Sequence, residues 1–537
     1  MISRSAKRFP TPHTLFTVLA IVYGCVESVP KRGHEPWSVI LCKFRDSNFE
    51  PRTTGWFKEW IGGRQNSDSI ENYFYTISNG IYSIEGSNVT DWLKIPFSRN
   101  NILQQSLADP KLQLTNEKPF ALYDKAKEVC INFAKENDFG MHRQKITVIN
   151  QEQTAIYGKS NGVLLTPNLI FSSVLAHEMV HSMNIGHSYS DRNIQVFPYA
   201  ERGEYDDKYD LMSTANAHMR PSTYGLAGPG LNGAHLDYLG WLPMNRVVYF
   251  GRDGRQNYTL RLSSLSVPHK NTNGWLLILI PYDRDDSQNV FTVEFRTPDA
   301  HDKGIGQPGV IIHQVRKIGA HYYSFLITHA QQEFNELTMD TEWVKFLHMS
   351  ASGESQYVHL RVERINRKSR FADVKVISTF SPHTCLQGEF YKKIAPDDPL
   401  NKKKLAHVCL IGNRPVFPKH LEMQQRRARF FEKRRSYGQN ECIDGYEWRA
   451  LDAYDYVCVP HKRAKEIQVK LERKNVEKTA AKAEAVCSER LVKRSAFPND
   501  NHCVPEIERA QIEQENRESL QFLRNPNFFN GVDTLNL

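Results

Sequence analysis

Read for its alternation of apolar and polar positions, the chain opens with a run at residues 37–44, Trp-Ser-Val-Ile-Leu-Cys-Lys-Phe, that is rich in β-favouring side chains. Similar runs at 81–84 and 145–150 complete a set of predicted strands. Residues 122–136 space their apolar side chains at helical intervals and carry Cys130, so a bridge from Cys42 on the opening strand to this helix is a reasonable expectation. Residues 162–166, Gly-Val-Leu-Leu-Thr, read as an edge strand to which an extended peptide can add itself by backbone hydrogen bonds. The helix that follows passes through His177 and is expected to stop near Met183 or Asn184, because Asn184 and Gly186 are residue types that tolerate a left-handed backbone.

From about residue 247 the texture changes to short β-rich runs, at 258–262, 275–280, 290–295 and 309–315, punctuated by turn residues. This predicts an antiparallel sandwich reaching to about residue 379, with stability as its main task. Beyond it the spacing of cysteines repeats. Cys442 and Cys458 are 16 apart, as are Cys487 and Cys503; Arg449 and Arg494 follow the first cysteine of their pairs by seven, and Asp455 and Asp500 by 13. Cys385 and Cys409 look like a first copy with eight residues inserted. Three modules result, each expected to close with its own bridge, since so few apolar residues cannot offset the chain entropy lost on ordering. The Arg and Asp at fixed offsets read as an intramodule ion pair or as a shared ligand site, the structural reading being favoured. The chain thus divides into 1–28 as a leader, 29–246 as an α+β domain, 247–380 as a β-rich accessory domain, and 381–537 as disulfide-stapled modules with helix-favouring stretches and a basic linker.

The chemistry concentrates between residues 177 and 187, His-Glu-Met-Val-His-Ser-Met-Asn-Ile-Gly-His. On a helix His177 and His181 lie one turn apart on one face, so both rings reach a single ion. Once the helix has ended and the chain has turned back, His187 supplies a third nitrogen. Three protein ligands and an open position are the geometry of a catalytic zinc site, and Glu178 is placed to act as general base on a water. Further along, Tyr209-Asp-Leu-Met-Ser213 is a tight polar segment carrying Met212.

In these residues the chain resembles the metzincin zinc peptidases. The resemblance implies His177, His181 and His187 as zinc ligands, Glu178 as base and Met212 as the methionine turn beneath the metal. Its usual Gly three residues after the second His is replaced here by Asn184. Stretches 68–80 (DSIENYFYTISNG), 86–92 (GSNVTDW), 204–213 (EYDDKYDLMS) and 228–241 (GPGLNGAHLDYLGW) look like the gametolysin and immune inhibitor A branch, over roughly residues 36–330. Some metzincins hold the oxyanion with a tyrosine two residues after the methionine; Thr214 stands there, which leaves Tyr224 or His218 as stabilisers. Asp206, Asp207 and Asp210 are candidates for a structural Ca2+, acidic turns being more often simply solvated.

At 537 residues the chain exceeds what one hydrophobic core serves. Arg4, Lys7 and Arg8, an apolar run at 15–24 and the small residues before Ser28 read as a cleaved secretory signal, with no later membrane span. Its loss would remove Cys25 and leave eight cysteines, Cys42, Cys130, Cys385, Cys409, Cys442, Cys458, Cys487 and Cys503, consistent with an extracellular location. Asn88 and Asn257 stand in glycosylation triplets. The net charge of +9 falls to +7 without the leader, and residues 402–435, with 11 basic and two acidic side chains, carry +9 alone. That run and the modules are candidates for docking on an anionic surface or polysaccharide, or else the run is a solvated linker. Nucleic acid is excluded for an exported chain without a recognition motif. The expected function is a secreted zinc endopeptidase acting on protein or peptide substrates; the alternative is a non-catalytic surface-binding protein with a peptidase-like fold.

Overall fold

The computed structural model describes residues 30–109, 118–151, 157–159, 162–214, 216–250, 256–329, 334–381, 384–399, 407–417, 438–477, 487–488, 490–497 and 500–529. Residues 1–28, expected as a leader, and most of the basic run 402–435 lie outside them, and no helix among the described residues is long and apolar enough to cross a membrane. The architecture is mixed α+β.

The first unit is built on a sheet of order β2-β1-β3-β5-β4, where β1 is Trp37–Lys43, β2 Asn88–Val89, β3 Gln144–Ile149, β4 Tyr157–Lys159 and β5 Gly162–Leu165. All neighbours pair in parallel except β4, which runs antiparallel to β5 and forms the edge that sequence reading had assigned to 162–166. Register Val39↔Ile146↔Val163 and Leu41↔Val148↔Leu165 lines one face with branched apolar side chains. That face packs against helices Thr54–Ile61 and Ser172–His181. The alternate residues, Ile40, Cys42, Ile149 and Leu164, point the other way and meet Ala126, Cys130 and Ala134 of helix Lys118–Glu136. Burial on both faces explains the near-continuous apolar runs of the central strands.

The anticipated Cys42–Cys130 bridge does not form. Both thiols are free and buried in the apolar layer between sheet and helix, where burial, then the hydrogen bond with Cys130, pushes the Cys42 thiol up. They pack there as small apolar groups.

The sandwich is present. One sheet has the order β6-β8-β9-β10-β11, with β6 Val247–Tyr249, β8 Leu277–Pro281, β9 Val290–Arg296, β10 Gly309–Ile318 and β11 His321–Leu326. The other is the antiparallel meander β7-β14-β13-β12, from β7 Gln256–Ser263, β12 Glu342–Met349, β13 Ser355–Asn366 and β14 Phe371–Ser378. Ile278, Phe291, Val293 and Ile312 interlock with Leu260, Leu360, Val362 and Val374 between the sheets. The residues between them in sequence, Leu277, Leu279, Val290 and Val315, turn the other way and join the core of the first unit. The line at 246/247 is therefore a change of element type and not a break in the core.

Charged side chains seal this junction. Arg296 is fully buried and grips Asp302 through Nε (2.9 Å) and Nη2 (2.6 Å), while its Nη1 donates to Glu294 (3.0 Å) and to the carbonyl of Tyr209 (3.1 Å). His313 Nε2 lies 2.9 Å from Asp207.

Three disulfides close the modules as the spacing predicts, Cys385–Cys409, Cys442–Cys458 and Cys487–Cys503. The Arg–Asp offsets are ion pairs: Arg449 with Asp455 (2.9 Å) and Arg494 with Asp500 (2.7 Å). Of the basic run, residues 407–417 form a hairpin of the first module, so that part is not linker. The second module is seated on the body: Met244 N donates to Ala453 O (2.8 Å), Tyr456 Oη to Leu242 O (2.6 Å), and Asn440 Nδ2 to Asp237 O (2.5 Å). In the sequons, Asn88 is engaged, accepting from Ser38 and donating to Gly140 O, whereas Asn257 is exposed on β7.

Replacing Arg296 by Met should cost about 3–5 kcal/mol in denaturant unfolding, because Asp302 and Glu294 would remain buried without their cation. Burial opposes ionisation of Asp302, but Arg296 and His301 outweigh it and hold its folded-state pKa far below the carboxylate range. Its contribution is thus fully present above about pH 4 and fades as pH falls. Denaturation curves of Asp302→Asn should show a shallower loss of stability on acidification than the parent chain.

Candidate metal centre

Helix Ser172–His181 places His177 and His181 on one face, and the chain leaves it at Ser182. Asn184 adopts φ 62°, the left-handed turn read from its identity, and this returns the chain so that His187 meets the other two. One ring nitrogen of each histidine lies within 4.8 Å of the others. Among the described residues the remaining His/Cys cluster, Cys385, His407 and Cys409, contains a closed disulfide.

Each Nδ1 is committed elsewhere. His177 Nδ1 donates to Leu211 O (3.0 Å), His181 Nδ1 to Ile185 O (2.8 Å), and His187 Nδ1 to Glu204 Oε1 (2.6 Å). A carbonyl or carboxylate can only accept, so the protons sit on Nδ1 and the Nε2 atoms are the candidate ligand atoms, that of His187 accepting meanwhile from the Tyr205 hydroxyl. Burial, then the neighbouring His187, keeps His177 neutral down to about 3; burial and both partners likewise hold His181 well below the usual histidine range. Three imidazoles, each with its second nitrogen oriented by an acceptor, are the donor set that a zinc-type ion takes.

Met212 lies buried in the 3-10 turn Leu211–Ser213, the turn whose Leu211 carbonyl meets His177. Asp210 caps the turn, accepting from Met212 N (2.7 Å) and Asn232 N (3.0 Å), and pairs with His235 (2.7 Å). The turn's Leu211 carbonyl is the acceptor for His177, so a cap on one segment sets the ring angle on another. Glu178, next to the first histidine, is buried and close enough to raise the Tyr205 phenol further.

Tyr205 is the residue that sequence reading missed. Its hydroxyl lies 2.9 Å from His187 Nε2, the atom the metal would take, and its ring centroid is 4.1 Å from that of His187. With the His187 proton on Nδ1, the phenol is the donor. Burial, then Glu204, pushes its pKa well up, so it keeps its proton. Its backbone has φ 59°, a conformation unusual for a bulky residue, held by Tyr205 N donating to Ser188 O (3.0 Å) and Asn216 Nδ2 donating to Tyr205 O (3.0 Å).

Tyr224 and His218, the hydroxyl and ring read from sequence as stabilisers, have partners outside the histidine cluster. Tyr224 is buried near the helix start, its carbonyl accepting from Ser172 N and its hydroxyl from Asn66 (2.7 Å), with Trp56 against its ring. His218 packs on Tyr209, 5.1 Å between ring centroids. Neither has a hydrogen bond or ring contact with the histidines. Nor do the three aspartates converge on a common ion. Asp206 binds Arg192 (2.8 Å), Asp207 binds His313 and Asp210 binds His235, so their oxygens are spent on protein donors and a calcium site is not built there.

No family model matches the chain, and no curated protein matches it. Two crystal structures of wild-type OgpA from Akkermansia muciniphila, in different crystal forms, are similar at 10% identity and a TM-score of 0.24. The matches cover 65% of this chain and 94% or 95% of that one, a likeness too low to carry a conclusion on fold or function.

With zinc as the ion that the cluster would hold, Glu204→Gln should weaken its binding about 10–100-fold, since an amide orients the His187 ring and raises its basicity less than a carboxylate does. Competition against a chromogenic chelator measures the change.

Proposed function

We propose that this chain is a secreted zinc endopeptidase of metzincin type. The observation that carries the reading is the convergence of His177, His181 and His187 with every Nδ1 already bonded, beside Glu178. When bound, zinc supplies Lewis acidity toward the scissile carbonyl and acidifies a water.

The chain's own residues do the rest. Glu178 accepts the proton of the attacking water and returns it to the departing amine. The Tyr205 hydroxyl, protonated and aimed at the ligand cluster, donates to the oxyanion as it develops, the role that sequence reading gave to Tyr224 or His218. Among the described residues, edge strand β4 is paired on one side only, by β5, and an extended peptide can align along its other side. The seating of the second module on the body favours a structural task for it over the surface-binding alternative. Disulfides in every module agree with export.

A mixed peptide library incubated with the zinc-loaded chain should be cleaved, and a chelator should stop cleavage reversibly. Glu178→Ala should retain one zinc per chain while losing about 10²–10⁴ in rate. Tyr205→Phe should keep both the zinc and KM and lower kcat about 10²-fold. A correctly folded, zinc-loaded chain that leaves every library peptide intact would overturn the reading.

A further inference from the structure

The far end of the described chain reaches back into the metal centre. Leu523 pairs with Cys442 of the second module, and Arg524 N donates to Glu441 O (2.8 Å). The next residues leave the module and run over the body. Asn525 bonds Gln288, the carbonyl of Pro526 accepts from Tyr238 Oη (3.0 Å), and that of Asn527 from His321 Nδ1 (3.1 Å). Phe528 and Phe529 are 1% and 3% exposed and belong to the main core. The Phe528 ring stacks on Tyr322 at 4.0 Å and its carbonyl accepts from Tyr322 N (2.8 Å). Phe529 packs edge-on against His235 (4.7 Å), the partner of the Asp210 that caps the methionine turn.

The decisive bond is Gly186 N donating to Phe529 O (2.9 Å). A trans peptide is planar, so the Gly186 N–H and the Ile185 C=O are opposite ends of one rigid plate. Ile185 O is the acceptor that orients His181, and His187 is the next residue after Gly186. One bond from Phe529 therefore fixes the plate that aims the second ligand and launches the third.

We propose that residues 525–529 are a positioning strap for the metal centre, so that full metal affinity requires the strap to be seated. This rests on the zinc reading above. It also means that the ligand set of residues 177–187 is completed only after the second module, which anchors the strap, has docked.

The test uses the full chain. In the metal-free protein the Gly186 amide should be protected from hydrogen exchange, and Phe528→Ala with Phe529→Ala should abolish that protection. The same double variant should bind zinc about 10–100-fold more weakly in chelator competition, with near-native far-ultraviolet dichroism, while Phe529→Leu should stay within about threefold of the parent. Tyr238→Phe, which deletes one strap hydrogen bond with little change in packing, is a gentler variant should the double one misfold; it too should speed Gly186 exchange and weaken zinc binding. Faster Gly186 exchange with unchanged zinc affinity, or unchanged exchange in both variants, would overturn the proposal. A parent chain that protects Gly186 yet binds no zinc would instead overturn the metal reading.

Discussion

Everything at the candidate site depends on where three imidazole protons reside. A histidine presents a lone pair from one ring nitrogen when the other carries the proton and donates it to an acceptor. Here the acceptors are Leu211 O, Ile185 O and Glu204, from three separate segments. Each rests on something further away. Leu211 follows the Asp210 cap, which rests on His235 and Asn232; Ile185 shares its peptide plane with the Gly186 N–H held by Phe529; Glu204 follows a turn whose neighbour, Tyr189–Ser190, is an edge strand beside β11.

The last link explains why the β-rich region is not a detachable appendage. Tyr189–Ser190, two residues past His187, pairs with Phe325 and Leu326, so the chain leaving the third histidine joins the accessory sheet. The opposite side of that sheet is the sandwich core, while its near side completes the core of the first unit. Arg296, Asp302, Glu294, Asp207 and His313 lie in the seam, and their fixed fork and ring geometries set how the two units register. Such buried charges add little net stability against apolar replacements of the same shape, but they tolerate few alternative packings.

Much of the site was legible in the sequence because its signals are local. Two histidines four apart on a helix share a face whatever surrounds the helix, and Asn184 turns left-handed because its side chain tolerates it. The disulfides were legible for a similar reason: a repeated spacing of 16, with Arg and Asp at repeated offsets, marks copies of one closed unit. Cys42 and Cys130 had no such repeat. Their expected bridge rested on predicted neighbourhood alone, and neighbourhood brought the thiols together without joining them.

Tyr205 shows where local reading ends. The search for a hydroxyl looked just after Met212, where a fixed spacing exists, whereas the residue that faces the ligands precedes Met212 and reaches them across a strained turn. Asp206, Asp207 and Asp210 look like one acidic cluster in sequence, yet successive side chains diverge and meet Arg192, His313 and His235 from different elements. The sequence by itself determined the spacing of the three histidines, the turn that returns the third of them and the closure of each module, since these depend on spacings of a few residues or on a repeated period. The tertiary structure alone decided which hydroxyl meets the histidine cluster, which carboxylates are paired with cations and that Phe529 holds Gly186, because these contacts join residues from different parts of the fold.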